Sequence, residues 1–135
     1  MTTADPIQGR TIFPGQVSGV TLACWMGISF YGGVDPETGI VTESGHELEG
    51  QSIAGKILCF PSGKGSTVGS YVLYRLKKNG HAPLAIVNIE CETITAVGCI
   101  IAEIPCIDGI NIGKIPSGQQ VDVNASAGTI QVLGD

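Results

Sequence analysis

At 135 residues the chain is long enough for one sizeable core and too short for two. Seven Lys and Arg against twelve Asp and Glu leave a formal charge of −5, which argues against nucleic acid or an anionic membrane as main partner, since both need a basic surface. Charged residues make up 14% and apolar ones 43%, which excludes a disordered chain, yet no apolar run approaches the roughly 18 to 20 residues of a membrane span.

A mean hydropathy of +0.30 without such a span points to a surface that a partner covers. The first ten residues lack a basic stretch followed by an apolar one, so a cytoplasmic protein is expected. Residues 1–135 read as one domain, with 1–7 as a loose terminus. The 20 glycines follow no G-X-Y period and read as turn and close-approach positions. The five cysteines, at 24, 59, 91, 99 and 106, are odd in number and lack paired C-x-x-C spacing. That pattern argues against a disulfide framework and a zinc ribbon.

In chain order, Gln16 to Phe30 reads as two extended segments broken near Trp25 to Gly27. Tyr31 to Gly39 (YGGVDPETG) is dense in turn residues and predicts a loop, followed by a short strand at Gly39 to Thr42. Lys56 to Phe60 (KILCF) is a buried-strand pattern, stopped by Pro61 to Gly65. In Ser66 to Asn79, Val68, Tyr71, Val72 and Leu76 share one helix face, while Lys77, Lys78 and Asn79-Gly80 mark a helix C-terminus. Leu84 to Ile89 returns as a strand, which completes a strand, loop, helix, strand unit expected to pair in parallel. Glu90 to Glu103 predicts a second helix with Ile94, Val97, Ile100 and Ile101 on its apolar face, ended by Pro105. Gln119 to Val123 and Thr129 to Leu133 form a hairpin around Ala127-Gly128. The sum is a strand-rich α+β fold with two short helices.

The strand-to-helix junction Pro61-Ser62-Gly63-Lys64-Gly65-Ser66-Thr67 is the strongest candidate for chemistry. Glycines there admit close approach of a ligand, and the helix start favours an anion; equally, Ser66 can be a simple N-cap. It is not a Walker A loop, because Lys64 precedes Gly65 instead of following the last glycine. His46 and His81 fall where a Ser-His-Asp triad would not place them and read as solvated or structural. Asp35, before Pro36, reads first as a turn residue, with ligand contact as the alternative. Glu92 suits a helix first turn. Cys24 and Cys59 read as small core hydrophobes, and Cys91, Cys99 and Cys106 are spaced too irregularly for a local cluster.

The runs ISFYGGVDPETG (Ile28 to Gly39), FPSGKGSTVGSYVLY (Phe60 to Tyr74), APLAIVNIECETI (Ala82 to Ile94) and AEIPCIDGI (Ala102 to Ile110) together resemble the small subunit of the aconitase X family, in its archaeal form. The likeness covers roughly residues 8 to 134. It implies the swivelling β/β/α domain of the aconitase superfamily and a larger partner subunit, as a heterodimer or a dimer of heterodimers. It also implies an iron–sulfur cluster carried by that subunit, with no metal ligand on this chain. The implied activity is that of a hydro-lyase subunit dehydrating (R)-5-phosphomevalonate to trans-anhydromevalonate 5-phosphate in a mevalonate pathway. By motif, Ser66 takes the family's proton-acceptor position and Thr67 the second hydroxyl position.

For Lys64, Gly65 and Thr67 we expect substrate contact, with Lys64 positioning a carboxylate or phosphate, and for Gly32, Gly33 and Asp35 a place facing the partner or the shared site. A serine becomes an effective base only in a positive local field, which the helix end and a nearby cation can supply. Two rival expectations remain: dehydration of cis-3-hydroxy-L-proline by a related subunit, and a non-catalytic swivel or assembly module.

Overall fold

The computed structural model describes residues 5–133. Eight strands follow one another in the spatial order β1-β8-β7-β3-β4-β5-β6-β2. They are β1 (Ile7–Gln8), β2 (Arg10–Phe13), β3 (Gln16–Ala23), β4 (Ile57–Phe60), β5 (Ala85–Asn88), β6 (Cys106–Asp108), β7 (Gln120–Asn124) and β8 (Thr129–Val132). The helices are a single irregular turn α1 (Phe30–Gly33), then α2 (Gly69–Lys78) and α3 (Thr93–Ala102). Strands β3, β4, β5 and β6 pair in parallel, whereas β7, β8, β1 and β2 join antiparallel at the two flanks.

Strand β3 belongs to both halves of this arrangement. Its first five residues pair with β7, and Thr21 to Ala23 pair with β4. The sequence of β4 and β5 explains the layering, because every residue of both strands is buried. Such continuous burial is what a parallel strand covered on both faces requires. Leu58, Phe60, Ile86 and Cys106 point to one face, where they meet Val72, Leu73 and Leu76 of α2 and Cys99 and Ala102 of α3. Ile57, Cys59, Ala85, Val87 and Ile107 point to the other, against Val121 and Val123 of β7 and Ile130 of β8. Two cores therefore separate three layers: helices, parallel strands and an antiparallel sheet.

Both long helices and the β4–α2–β5 unit agree with the sequence reading, but the buried faces do not. In α2 the inward residues are Gly69, Ser70, Val72, Leu73 and Leu76, while Val68 and Tyr71 are exposed. In α3 they are Thr95, Gly98, Cys99 and Ala102, and Val97, Ile100 and Ile101 face outward. The reason is steric. A Cβ at Gly98 would lie 2.4 Å from Leu73 Cδ1, so only a helix face of small residues lets α3 lie this close to α2. Periodicity identified an apolar stripe, and packing at Gly98 turned that stripe outward.

Other expectations need correction. The predicted loop at Tyr31 to Gly39 begins with the α1 turn, the predicted strand at 39–42 consists only of isolated bridges at Ile40 and Val41, and β2 and β6 were not anticipated. Residues 1–4 of the expected loose terminus lie outside the described residues, but Ile7 is paired with Ile130 in β1. No helix among the described residues is long and apolar enough to cross a membrane.

Candidate active site

The C-terminal edge of the parallel strands is where α/β folds gather ligands. Here it gathers the segment after β3, the loop between β4 and α2, and the start of α3. Residue Ile28 docks alongside Gly63 in a parallel bridge: its N–H donates to Ser62 O (3.3 Å), and Lys64 N–H donates to Ile28 O (3.0 Å). Phe30 and Phe60 pack edge-on below the loop, with ring centroids 5.9 Å apart, an arrangement worth about 0.5–1.5 kcal/mol beyond its burial. Asn88, at the end of β5, holds the end of β4 by donating from Nδ2 to Phe60 O (2.9 Å).

Two glycines of the loop occupy places where no side chain fits. A Cβ at Gly63 would stand 2.3 Å from both Glu92 Oε1 and Thr95 Oγ1. Gly65 has φ +93°, and a Cβ there would lie 2.4 Å from Ser29 Oγ. The second therefore needs glycine for its left-handed backbone as well as for space. Ser29 Oγ donates to Tyr31 O (3.0 Å) and thereby stays beside the loop.

The hydroxyl of Ser66 is exposed, and it accepts a hydrogen bond from Val68 N–H (3.2 Å). Its carbonyl accepts Gly69 N–H (2.9 Å), so Ser66 opens the turn that leads into α2 but is not the N-cap, a place taken by Val68. That corrects the expectation of a Ser66 or Thr67 cap. The N–H groups of Gly65, Ser66 and Thr67 have no acceptor among the described residues, which leaves a row of donors at the start of a ten-residue helix. Lys64 Nζ sits 3.0 Å from Glu43 Oε2, and the pair is partly exposed. Thr67 borders an apolar groove of about 280 Å³ formed with Ser70, Tyr71, Ile94, Val97 and Ile101.

Of the other predicted residues, Gly33 joins this neighbourhood, because a Cβ there would contact Glu43 Oε1 and Ser29 Cβ. Gly32, just before it, has φ +85° and open space around it. Asp35 does not join. Its Oδ1 accepts Glu37 N–H (2.9 Å), and the same turn is tied to the far end of α2 by Arg75 to Glu37 (2.8 Å) and Asn79 to Pro36 O (2.8 Å). The helix separates Asp35 from Ser66, and the Asp35 side chain closes its own turn. His81 follows the same distant helix end.

His46 is buried: its Nδ1 accepts Leu48 N–H, which leaves Nε2 protonated and donating to Gly27 O at 3.0 Å. It braces the 24–28 segment. Ser29, Glu43, Asn88 and Thr95 were missed in the sequence because nothing in their local spacing marks them; two separate loops, the end of a strand and a helix bring them together. Glu92 was read correctly as a helix-start residue, and it is the N-cap of α3, accepting from Ile94 N–H and Thr95 N–H at 2.7 Å each.

No group of three or more His, Cys, Asp or Glu able to hold a metal occurs among the described residues. Cys91 and Cys106 do approach, with sulfurs 3.8 Å apart, a proximity that the spacing did not reveal. The hydrogen bond with Cys106 and burial push the Cys91 thiol upward. Cys24 and Cys59 are core residues, raised to about 11 and about 12 by burial. These side chains do not fit an iron–sulfur cluster, which needs several converging thiolates.

A hydroxyl-bearing glycine loop at the edge of a parallel sheet, sandwiched between helices and a second sheet, defines the swivelling β/β/α class. The chain belongs to the aconitase X swivel domain family, matched over residues 6–132. It is 55% identical over 127 residues to the phosphomevalonate dehydratase small subunit of Thermococcus gammatolerans, covering 94% of this chain and 97% of that one. Its identity to the protein of the same name in Methanosarcina acetivorans is 54% over 130 residues, covering 94% and 90%. The crystal structure of Thermococcus kodakaraensis aconitase X in its holo-form superposes with a TM-score of 0.95 at 51% identity, covering 97% of this chain and all of that one.

Proposed function

We propose that this chain is the small subunit of a hydro-lyase that dehydrates (R)-5-phosphomevalonate to trans-anhydromevalonate 5-phosphate, with Ser66 as the proton acceptor. The observation that carries the reading is the exposed Ser66 Oγ, held by Val68 N–H in a loop whose next donors are unpaired. The names of the relatives favour phosphomevalonate over hydroxyproline as substrate. A partner large subunit follows from the same naming. It is also supported by the outward apolar side chains of Tyr71 (65% exposed) and Ile100 (50% exposed), together with Val97 and Ile101. The cluster belongs to that subunit in this reading, where it would supply Lewis-acid assistance to the departing hydroxyl. The enzyme works in the cytoplasm, and this chain contributes one swivel domain.

Dehydration takes a proton from the carbon beside the carboxylate, forms the double bond to the neighbouring carbon and expels the hydroxyl there. Ser66 Oγ receives the proton, and water then carries it away as product leaves. An N–H donated to a developing alkoxide contributes about 1.5–3 kcal/mol, and a helix start about 0.5–2 kcal/mol. At 1.36 kcal/mol per unit, these lower the hydroxyl pKa by roughly 1.5 to 3.5 units. That is a useful part of what a base near neutral pH requires, and a cation supplies the remainder. Lys64 fits this task when an anionic substrate draws it from Glu43, with the free N–H groups of Gly65, Ser66 and Thr67 holding carboxylate or phosphate oxygens.

The test uses the purified pair of subunits with (R)-5-phosphomevalonate and with cis-3-hydroxy-L-proline. Ser66→Ala should leave the pair assembled and lower turnover by at least about a hundredfold, the scale of a lost general base. Near-normal turnover of that variant would sink the assignment, and a larger loss in Thr67→Ala would move the base to Thr67.

A further inference from the structure

Thr95 lies on the first turn of α3, is 0% exposed, and its Oγ1 has no hydrogen-bond partner. Keeping an unpaired hydroxyl inside a protein is costly, and valine would fill the same volume without that cost. The position is therefore informative. The hydroxyl abuts Gly63, where a Cβ would meet Oγ1 at 2.3 Å, so the contact is with the loop that carries Ser66. Gly63 N–H has no acceptor among the described residues. A lone hydroxyl and a lone amide thus belong to two residues that touch, one on a rigid helix and one on a loop.

The helix turn that presents Thr95 is unusually well anchored. Glu92 caps it with two 2.7 Å hydrogen bonds, one of them from the backbone of Thr95 itself. Cys91 N–H, just upstream, donates to Asp108 Oδ2 (2.9 Å), and Asp108 is gripped by Arg10 Nε and Nη2 at 2.9 and 2.8 Å. Ile28 holds Ser62 and Lys64 from the other side of the loop. What remains adjustable between these two supports is Gly63.

We propose that Thr95 is a positioning residue for the dehydration step: when the loop settles on substrate, its hydroxyl accepts Gly63 N–H and fixes the height of the loop, and with it the aim of Ser66. The proposal rests on the reading of Ser66 as the base. A small displacement of a catalytic group is enough to matter, since errors near 1 Å cost up to about a hundredfold in rate.

Three forms of the assembled two-subunit enzyme decide the matter: wild type, Thr95→Val and Thr95→Ser. Thr95→Val should lower kcat about tenfold with KM within about twofold, while Thr95→Ser restores it. The thermal midpoint of Thr95→Val should equal or exceed that of wild type, which a merely structural hydroxyl would not give. Amide hydrogen exchange over residues 62–67, measured with saturating (R)-5-phosphomevalonate in the Ser66→Ala background to prevent turnover, should be faster with valine at position 95. Unchanged exchange overturns the proposal whatever the rates. Faster exchange with wild-type kcat also overturns it, provided Ser66→Ala is inactive. Should Ser66→Ala turn over normally, the base reading fails by itself, and exchange in the product-saturated wild-type and Thr95→Val enzymes alone decides the role of Thr95.

Discussion

Gly63→Ala tests how closely the loop and α3 touch. Gly63 does not have a positive φ, so alanine suits the backbone, and without a steric obstacle the change would stabilise the chain by about 0.4–1 kcal/mol. The added methyl, however, meets Glu92 Oε1 and Thr95 Oγ1 at 2.3 Å. Moving the Glu92 carboxylate out of its cap costs about 0.5–2 kcal/mol, and pushing Thr95 from its rotamer about 0.5–1.5 kcal/mol. With the backbone gain subtracted, the net loss is at most about 3 kcal/mol, or up to roughly 10 °C in thermal midpoint for a chain of this size. Thermal denaturation of the full chain followed by circular dichroism reads this directly. The same substitution in a Glu92→Ser, Thr95→Ala background should recover most of the loss, because both obstacles are gone. A stabilising Gly63→Ala, or a penalty unchanged in that background, would refute the close contact.

Two further perturbations test the electrostatics. Asp108 is buried (1% exposed) and held below its ordinary value by the hydrogen bonds of Arg10, whose own side chain is 72% exposed. Because the folded pKa is lowered, the stabilisation is present above the unfolded value near 3.9 and lost as pH falls through the folded one. Asp108→Asn should cost about 1.5–3 kcal/mol at pH 7, the scale of hydrogen bonds to a charged group, and flatten the acid limb of stability against pH. An unchanged acid limb would contradict the pairing. Burial raises Cys24 to about 11 and Cys59 to about 12, so their neutral thiols favour the folded state. That contribution is complete below the unfolded value near 8.5 and lost as pH rises towards 11 to 12. Mass spectrometry after a thiol reagent at pH 7.5 should find both unmodified until the chain unfolds; rapid labelling of either would show that the site opens locally.

Local pattern carried much of this protein. The buried run of Lys56 to Phe60, the helix that ends at Lys77, Lys78 and Asn79-Gly80, and the hairpin around Ala127-Gly128 are written in residues that lie next to one another. The Ser66 junction was legible for the same reason, since its glycines, lysine and hydroxyls are contiguous. β6 escaped because three residues after a proline carry too little pattern, and β2 because its pairing partner is almost a hundred positions away.

What sequence by itself determined, then, is the kind and order of the longer elements and the contiguous glycine loop that carries Ser66. Tertiary structure alone decided which way they face. A period of three and four residues describes an apolar stripe but not what the stripe meets, and the close approach at Gly98 turned the large aliphatic residues of α3 outward. It also decided which residues border the Ser66 loop, placing Asp35 at the far end of α2 and bringing Ser29, Glu43 and Thr95 against Gly65, Lys64 and Gly63. The physical reason is the same in both cases: burial and contact are properties of pairs, and the pairs that matter here are far apart in the chain.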